Sequence, residues 1–295
     1  MTQAQRIAGG SIGVGLVVLG LKTAAWHVTG SAALFSDAAE SVVNVAAAVV
    51  ALAALRFAAR PADANHPYGH DKAEFFAAVI EGVLIVLAAV VILDHAWQAY
   101  RHPVPLAAPL PGLAMNAASS VLNAVWATVL LRRGHALRSA ALRADGHHLM
   151  TDVITSAGVL IGVALVYATG IRVLDPALAA LTAVYVLAAG VRVIASSVGG
   201  LMDAAPAEDV VARIRHVVGQ TAEGAIEAHD LRMRYAGRLT FLEFDLVVPG
   251  AMTVAGAHDI CDRIENALKT EMAGLVITIH VEPEGKAKHH GVLVL

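Results

Sequence analysis

The 295-residue sequence holds a single cysteine, Cys261. Disulfide frameworks need cysteine pairs, and cysteine-rich zinc ribbons need several thiolates, so both are excluded. Charge is scarce as well. Charged residues make up 15% of the chain, against about a quarter in soluble domains, which points to lipid as the solvent for much of it. The net charge is only −3 and no Lys/Arg cluster offers a nucleic-acid footprint. The string His-Glu-x-x-His, which a membrane-embedded zinc hydrolase would use, is also missing; an enzyme is not expected. Any metal chemistry must run on His, Asp, Glu and Asn, and the chain has 14 histidines.

What the chain has instead is hydrocarbon, with 57% hydrophobic residues. Crossing a bilayer core takes ~20 mostly apolar residues. Six runs meet this, at about 7–27, 32–56, 74–98, 108–131, 145–168 and 174–197. The first is long enough to span and others follow it, so it reads as a membrane helix rather than a cleavable signal. Gly9 and Gly13, four residues apart, suit close helix packing. Basic residues favour one side of the membrane. Arg56, Arg60 and Lys72 lie in the second-to-third loop, and Arg132, Arg133, Arg138 and Arg143 in the fourth-to-fifth. The opposite side offers Arg101 and Arg172, with Lys22 buried near that end of the first helix. This asymmetry places both termini in the cytoplasm and puts Trp26, Trp97 and Tyr100 at the outer interface.

Beyond residue 205 the pattern changes. Residues 208–220 read as an amphipathic helix, 226–235 and 240–248 alternate as strands, 253–272 are helical again, and 275–281 form a short apolar strand. The order α-β-β-α-β fits a small two-layer α+β domain. The expected organisation is an all-α six-helix transmembrane domain over 1–204 and a soluble domain over 205–295.

Ionisable groups inside a span are costly unless paired, hydrated or coordinated. The second span holds Asp37, Glu40 and Asn44, and the fifth begins with Asp145, His147, His148 and Asp152. Glu40 and Asn44 share a helix face, as do His148 and Asp152, because each pair is four apart. Two such faces, opposed, supply four N/O ligands, enough for a tetrahedral zinc ion. One Glu and one Asp balance the ion's charge if His148 is neutral. A second group, Asp63, His66 and His70, lies within eight positions of one loop. A third comprises His229, Asp245, His258, His280 and Glu282 of the soluble region, where His280 and Glu282 are two apart on a strand and face the same way.

These features together resemble the cation diffusion facilitator family. They are the six spans, the pairs Glu40-xxx-Asn44 and His148-xxx-Asp152, the string His66-Pro-Tyr-Gly-His70-Asp-Lys72-Ala-Glu74, and the terminal α-β-β-α-β order. The resemblance covers nearly the whole chain, and the string is its most specific part. It implies a homodimeric exchanger in the inner membrane that exports zinc or a related ion from the cytoplasm against protons. It implies a transport site at Glu40, Asn44, His148 and Asp152 and a loop site at Asp63, His66 and His70. It also implies a cytoplasmic metal site at His229, Asp245, His258, His280 and Glu282, near the dimer interface of a metallochaperone-like, ferredoxin-like fold, and a charge interlock between Lys72 and Asp203. Zinc-type members usually carry His or Asp at the first position of the second-span pair and Asp at the next. Glu40 and Asn44 replace them here, and Asp245 stands where a histidine is common. A neutral, harder amide ligand weakens the bias toward zinc and leaves iron, cobalt, nickel, manganese and cadmium open. A metal-sensing or assembly protein without transport is the other reading.

Overall fold

The computed structural model describes residues 3–102, 109–136, 140–237, 239–288 and 292–293. They fall into two compact units, one of residues 1–57 and 76–196, the other of residues 58–75 and 197–295. His289 and His290 lie outside the described residues, as does Arg138.

Six long helices carry the apolar runs: α1 (Gln3–Thr29), α2 (Ala32–Ala58), α3 (Ala73–Arg101), α4 (Pro109–Ala136), α5 (Ala140–Thr169) and α6 (Leu174–Leu201). All six are long and apolar enough to cross a bilayer. Each extends a few residues beyond its apolar run, because helical hydrogen bonding continues into flanks that hydropathy alone does not mark.

The first unit inverts the pattern of a water-soluble bundle. Val91, Ile154, Ile161 and Leu181 are exposed, while Lys22, Asp37, Asn116, Ser119 and Asn123 are buried. Apolar groups outside and polar groups within fit a hydrocarbon solvent. Small residues bring the helices together. A Cβ on Gly82 of α3 would lie 3.1 Å from the Gly190 carbonyl of α6, and one on Gly190 would lie 3.1 Å from the Gly82 carbonyl. Gly9 and Gly13 do not take this role, since a Cβ on either would meet nothing. Gly10, packed under the Trp126 ring, and Gly15, against Val45, do so instead. Four-residue spacing alone does not say which face of α1 meets a neighbour.

At one end of the bundle Asp175 of α6 caps α2. It accepts from the backbone N–H of Ala32 at 2.6 Å and from the Ser31 hydroxyl at 2.5 Å. A carboxylate there also suits the positive end of the helix dipole. Trp97 and Tyr100 are exposed and stacked, with ring centroids 6.0 Å apart. Trp26 instead packs on Phe35, 5.0 Å away.

In the second unit follow α7 (Glu208–Thr221), β1 (Glu227–Ala236), β2 (Leu239–Val248), α8 (Val254–Glu271), β3 (Leu275–Pro283), a 3-10 turn at Glu284–Lys286, and β4 (Val292–Leu293). This is the expected α-β-β-α-β order with a short extra strand. The sheet order is β3-β2-β1-β4. β1 runs antiparallel to β2 and β4, and β2 parallel to β3. Ile214 and Val218 of α7 and Ile264 and Leu268 of α8 form one core with Leu242 and Leu246 of β2. Thr253 caps α8 by accepting from the Gly256 N–H at 3.1 Å. Cys261 is in this core, and burial pushes its thiol pKa up, which keeps it unreactive.

Candidate metal centres

The first candidate centre lies between α2 and α5. Asn44 donates from its side-chain amide to Asp152 Oδ2, which joins the two helices in the interior of the bundle. Asp152 is buried. Glu40, one turn before Asn44 and on its face, has a buried Oε1 with no hydrogen-bond partner. His148 lies one turn before Asp152 on α5, with its side chain, like that of His147, outside those described. Asp145, at the start of that row, accepts from the Ser11 hydroxyl of α1 at 2.7 Å. Three oxygen-bearing side chains thus occupy adjacent turns of the two helices.

One helical turn further along the same faces sits a group not anticipated as a unit. Lys22 Nζ lies 2.7 Å from Asp37 Oδ1 and 3.0 Å from Ser156 Oγ, and the Ser156 hydroxyl donates to the same Asp37 oxygen at 2.7 Å. The ion pair was hidden because its partners stand fifteen residues apart on different helices.

The second centre is the loop between α2 and α3. Asp63 Oδ1 accepts from the backbone N–H of Asn65 at 2.9 Å and of His66 at 2.8 Å. These backbone donors, His66 first, hold its carboxyl below the usual carboxylate range. His66 Nδ1 lies 3.2 Å from Asp63 Oδ1 and His70 Nε2 3.4 Å from Oδ2, so one ligand atom from each of the three residues falls within a 4.8 Å cluster. The loop is anchored within its unit. The Tyr68 ring meets Phe241 of β2 edge-on at 5.9 Å, and the Arg234 guanidinium of β1 lies over both rings. Lys72 Nζ, at the loop's end, is 2.7 Å from Asp203 Oδ1. The Lys72 hydrogen bond, with help from Arg234, holds the Asp203 carboxyl below its ordinary value.

The third centre is on the sheet. Register between β1 and β2 shifts between His229 and Arg232, and Asp230 takes a left-handed φ of 51° there. The bulge leaves His229, Asp230 and Asp245 with ligand atoms within 4.8 Å of one another. Glu282 Oε2 on β3 is 3.5 Å from His229 Nε2, and Asp245 Oδ2 is 3.8 Å from it. The buried Glu227 lies 3.4 Å from Nδ1. Both ring nitrogens of His229 are buried without a hydrogen-bond partner. A borderline-to-hard divalent cation fits this donor set of one imidazole and several carboxylates. His280 reaches only the edge of the group, 3.8 Å from Glu282 Oε1, and is largely exposed. His258 is not brought in; on the exposed face of α8 it pairs with Asp262 at 3.7 Å. Asp230 escaped the sequence reading because bulges leave no signal in hydropathy. The Lys288 ammonium pairs with Asp230 and holds that carboxyl low, while the carboxylate raises the lysine in turn.

Comparisons with known proteins agree with this organisation. Residues 11–202 match the family model for the cation efflux transmembrane domain, and residues 206–284 match that for the cytoplasmic domain of cation efflux proteins. An uncharacterized transporter of Synechocystis sp. is 41% identical over 273 residues, covering 92% of this chain and 88% of that protein. The cation-efflux pump FieF of Yersinia pestis is 31% identical over 270 residues, covering 90% and 88%. A solved structure of a proposed zinc transporter, CzrB, in its zinc form is 47% identical with a TM-score of 0.28, covering 28% of this chain and 96% of that one. The chain is a multi-pass membrane protein and belongs to the cation diffusion facilitator family of cation efflux transporters.

Proposed function

We propose that this protein exports a divalent transition metal, zinc first among them, from the cytoplasm in exchange for protons. In this reading residues 1–204 form the translocating domain of a homodimer in the plasma membrane. Both termini face the cytoplasm, where residues 205–295 form the metal-binding domain. The observation that carries the reading is the Asn44–Asp152 hydrogen bond between α2 and α5, beside the buried, unpartnered Glu40 oxygen. Two carboxylates, an amide and the adjacent His148 supply N/O donors whose charges cancel those of one divalent ion.

The residues act as follows. Glu40 and Asp152 neutralise the ion, and the Asn44 amide turns its oxygen inward as Asp152 exchanges the N–H for the metal. Metal takes the neutral imidazole, so loading releases a proton from His148 and protonation from outside expels the ion. A free imidazole titrates at ~6.5, near enough to neutral for such a switch. With the carboxylates ionised throughout, the cycle moves about one proton per ion. Iron, cobalt, nickel, manganese and cadmium compete for the same donors. Asp63, His66 and His70 hold a second ion in the loop. In the cytoplasmic domain His229, Asp230, Asp245 and Glu282 hold a regulatory ion, with His280 at its edge. A bound ion there favours whichever dimer arrangement binds it better.

The test is flux in proteoliposomes of purified protein. Zinc uptake driven by an imposed pH gradient is expected, with the other ions competing in the same preparation. Flux indifferent to the gradient would exclude proton exchange, and no flux of any ion would leave only metal sensing.

A further inference from the structure

Asp37, Glu40 and Asn44 lie at intervals of three and four along α2, and His148, Asp152 and Ser156 at intervals of four along α5. The group of Lys22, Asp37 and Ser156 is therefore the next rung of the same two facing rows. All three side chains are buried; Lys22 and Ser156 are 1% exposed and Asp37 2%. Lys22, from α1, gives its ammonium to the Asp37 oxygen that Ser156 also serves. The other Asp37 oxygen, Oδ2, and Glu40 Oε1 are both buried without hydrogen-bond partners. Glu40 shares its face of α2 with Asp37, one turn away.

Packing alone gives no reason for this arrangement. Replacing a buried ion pair by apolar residues of similar volume is often neutral or stabilising, and a charge within a span marks function by default. Inside the bundle, Coulomb forces also reach across one helical turn with little screening. Three carboxylates and one ammonium leave two net negative charges, matching one divalent ion. Without the ammonium the surplus would hold the ion after it should leave.

Resting on the reading of Glu40, Asn44, His148 and Asp152 as the transport site, we propose that Lys22, fixed by Asp37 and Ser156, is the tethered counter-charge of that site. The pair touches no ion. It acts through the ligands, setting the charge with which they grip the metal and hence the balance between binding and release.

The test is zinc flux kinetics in proteoliposomes. Lys22→Met raises the net negative charge, so KM falls roughly tenfold and kcat falls with it, because release slows. Asp37→Asn lowers the negative charge, so KM rises by a similar factor. The double variant brings KM back toward that of the wild type. Loss of a merely structural pair cannot move KM in opposite directions in the two single variants. Shifts in one direction, or none, in variants that are folded by gel filtration overturn the proposal. Should neither single variant fold, Ser156→Asp adds a carboxylate beside an ammonium already present and must lower KM; an unchanged or raised KM overturns it. A flux-competent wild type with unmoved variants sinks this inference alone, whereas a wild type that moves no ion takes the transport reading down with it.

Discussion

The Asn44 side-chain amide donates to Asp152 Oδ2, tying α2 to α5 at the depth of the proposed transport site. A donor facing a carboxylate means that the amide nitrogen, not the oxygen, lines the site in this arrangement. Replacing it with a second acid puts two carboxylates in contact. Asn44→Asp is expected to lose stability without metal and to gain zinc affinity and zinc flux relative to the other ions. Thermal melts with and without zinc, beside competition flux, check both halves. Unchanged ion preference would remove the amide as the source of selectivity.

In the proposed transport site Glu40 and Asp152 carry the charge that meets the ion. Glu40→Gln and Asp152→Asn are each expected to cut zinc flux by more than about 100-fold, beyond the 10–100-fold cost of losing an outer-shell partner. Initial rates in proteoliposomes measure this. Folding should be spared, since both substitutions keep shape and remove a buried charge.

Lys72 and Asp203 form an ion pair in which Asp203 is 44% exposed at its side chain, so solvent screens it. A double-mutant cycle with Lys72→Met and Asp203→Asn is expected to give a coupling of about 0.5 kcal/mol. The Asp203 carboxyl is held below its usual value. Its contribution is therefore present above the unfolded carboxylate pKa of ~3.9 and lost as pH falls through the lower folded value. Stability of the paired and unpaired variants should converge below about pH 3.

Zinc added to the whole protein is expected to raise its melting temperature through the sheet cluster. Binding to the folded state alone contributes about 2.7 kcal/mol at a hundredfold excess over Kd. His229→Ala should abolish most of the part of the shift that survives Asp152→Asn and Asp63→Ala together, because His229 is the buried nitrogen donor of that cluster. His258→Ala, paired with Asp262 elsewhere, should leave it intact.

Local chemistry was legible in the sequence. The six spans, the change of character beyond residue 205 and the α-β-β-α-β order follow from hydropathy and its period, which neighbours along the chain decide. The rows of α2 and α5 residues also follow, since helical spacing places residues three or four apart on one face. Contacts across the fold were not legible. Gly82 meets Gly190, and Lys22 finds Asp37 and Ser156, only once the helices pack. Asp230 joins His229 only because β1 bulges, and His258 falls away because α8 turns it to solvent. Sequence alone determined which elements exist and which residue types each carries. Tertiary structure decided which side chains share a site, because that choice depends on helix faces and strand register set by packing between segments far apart in the chain.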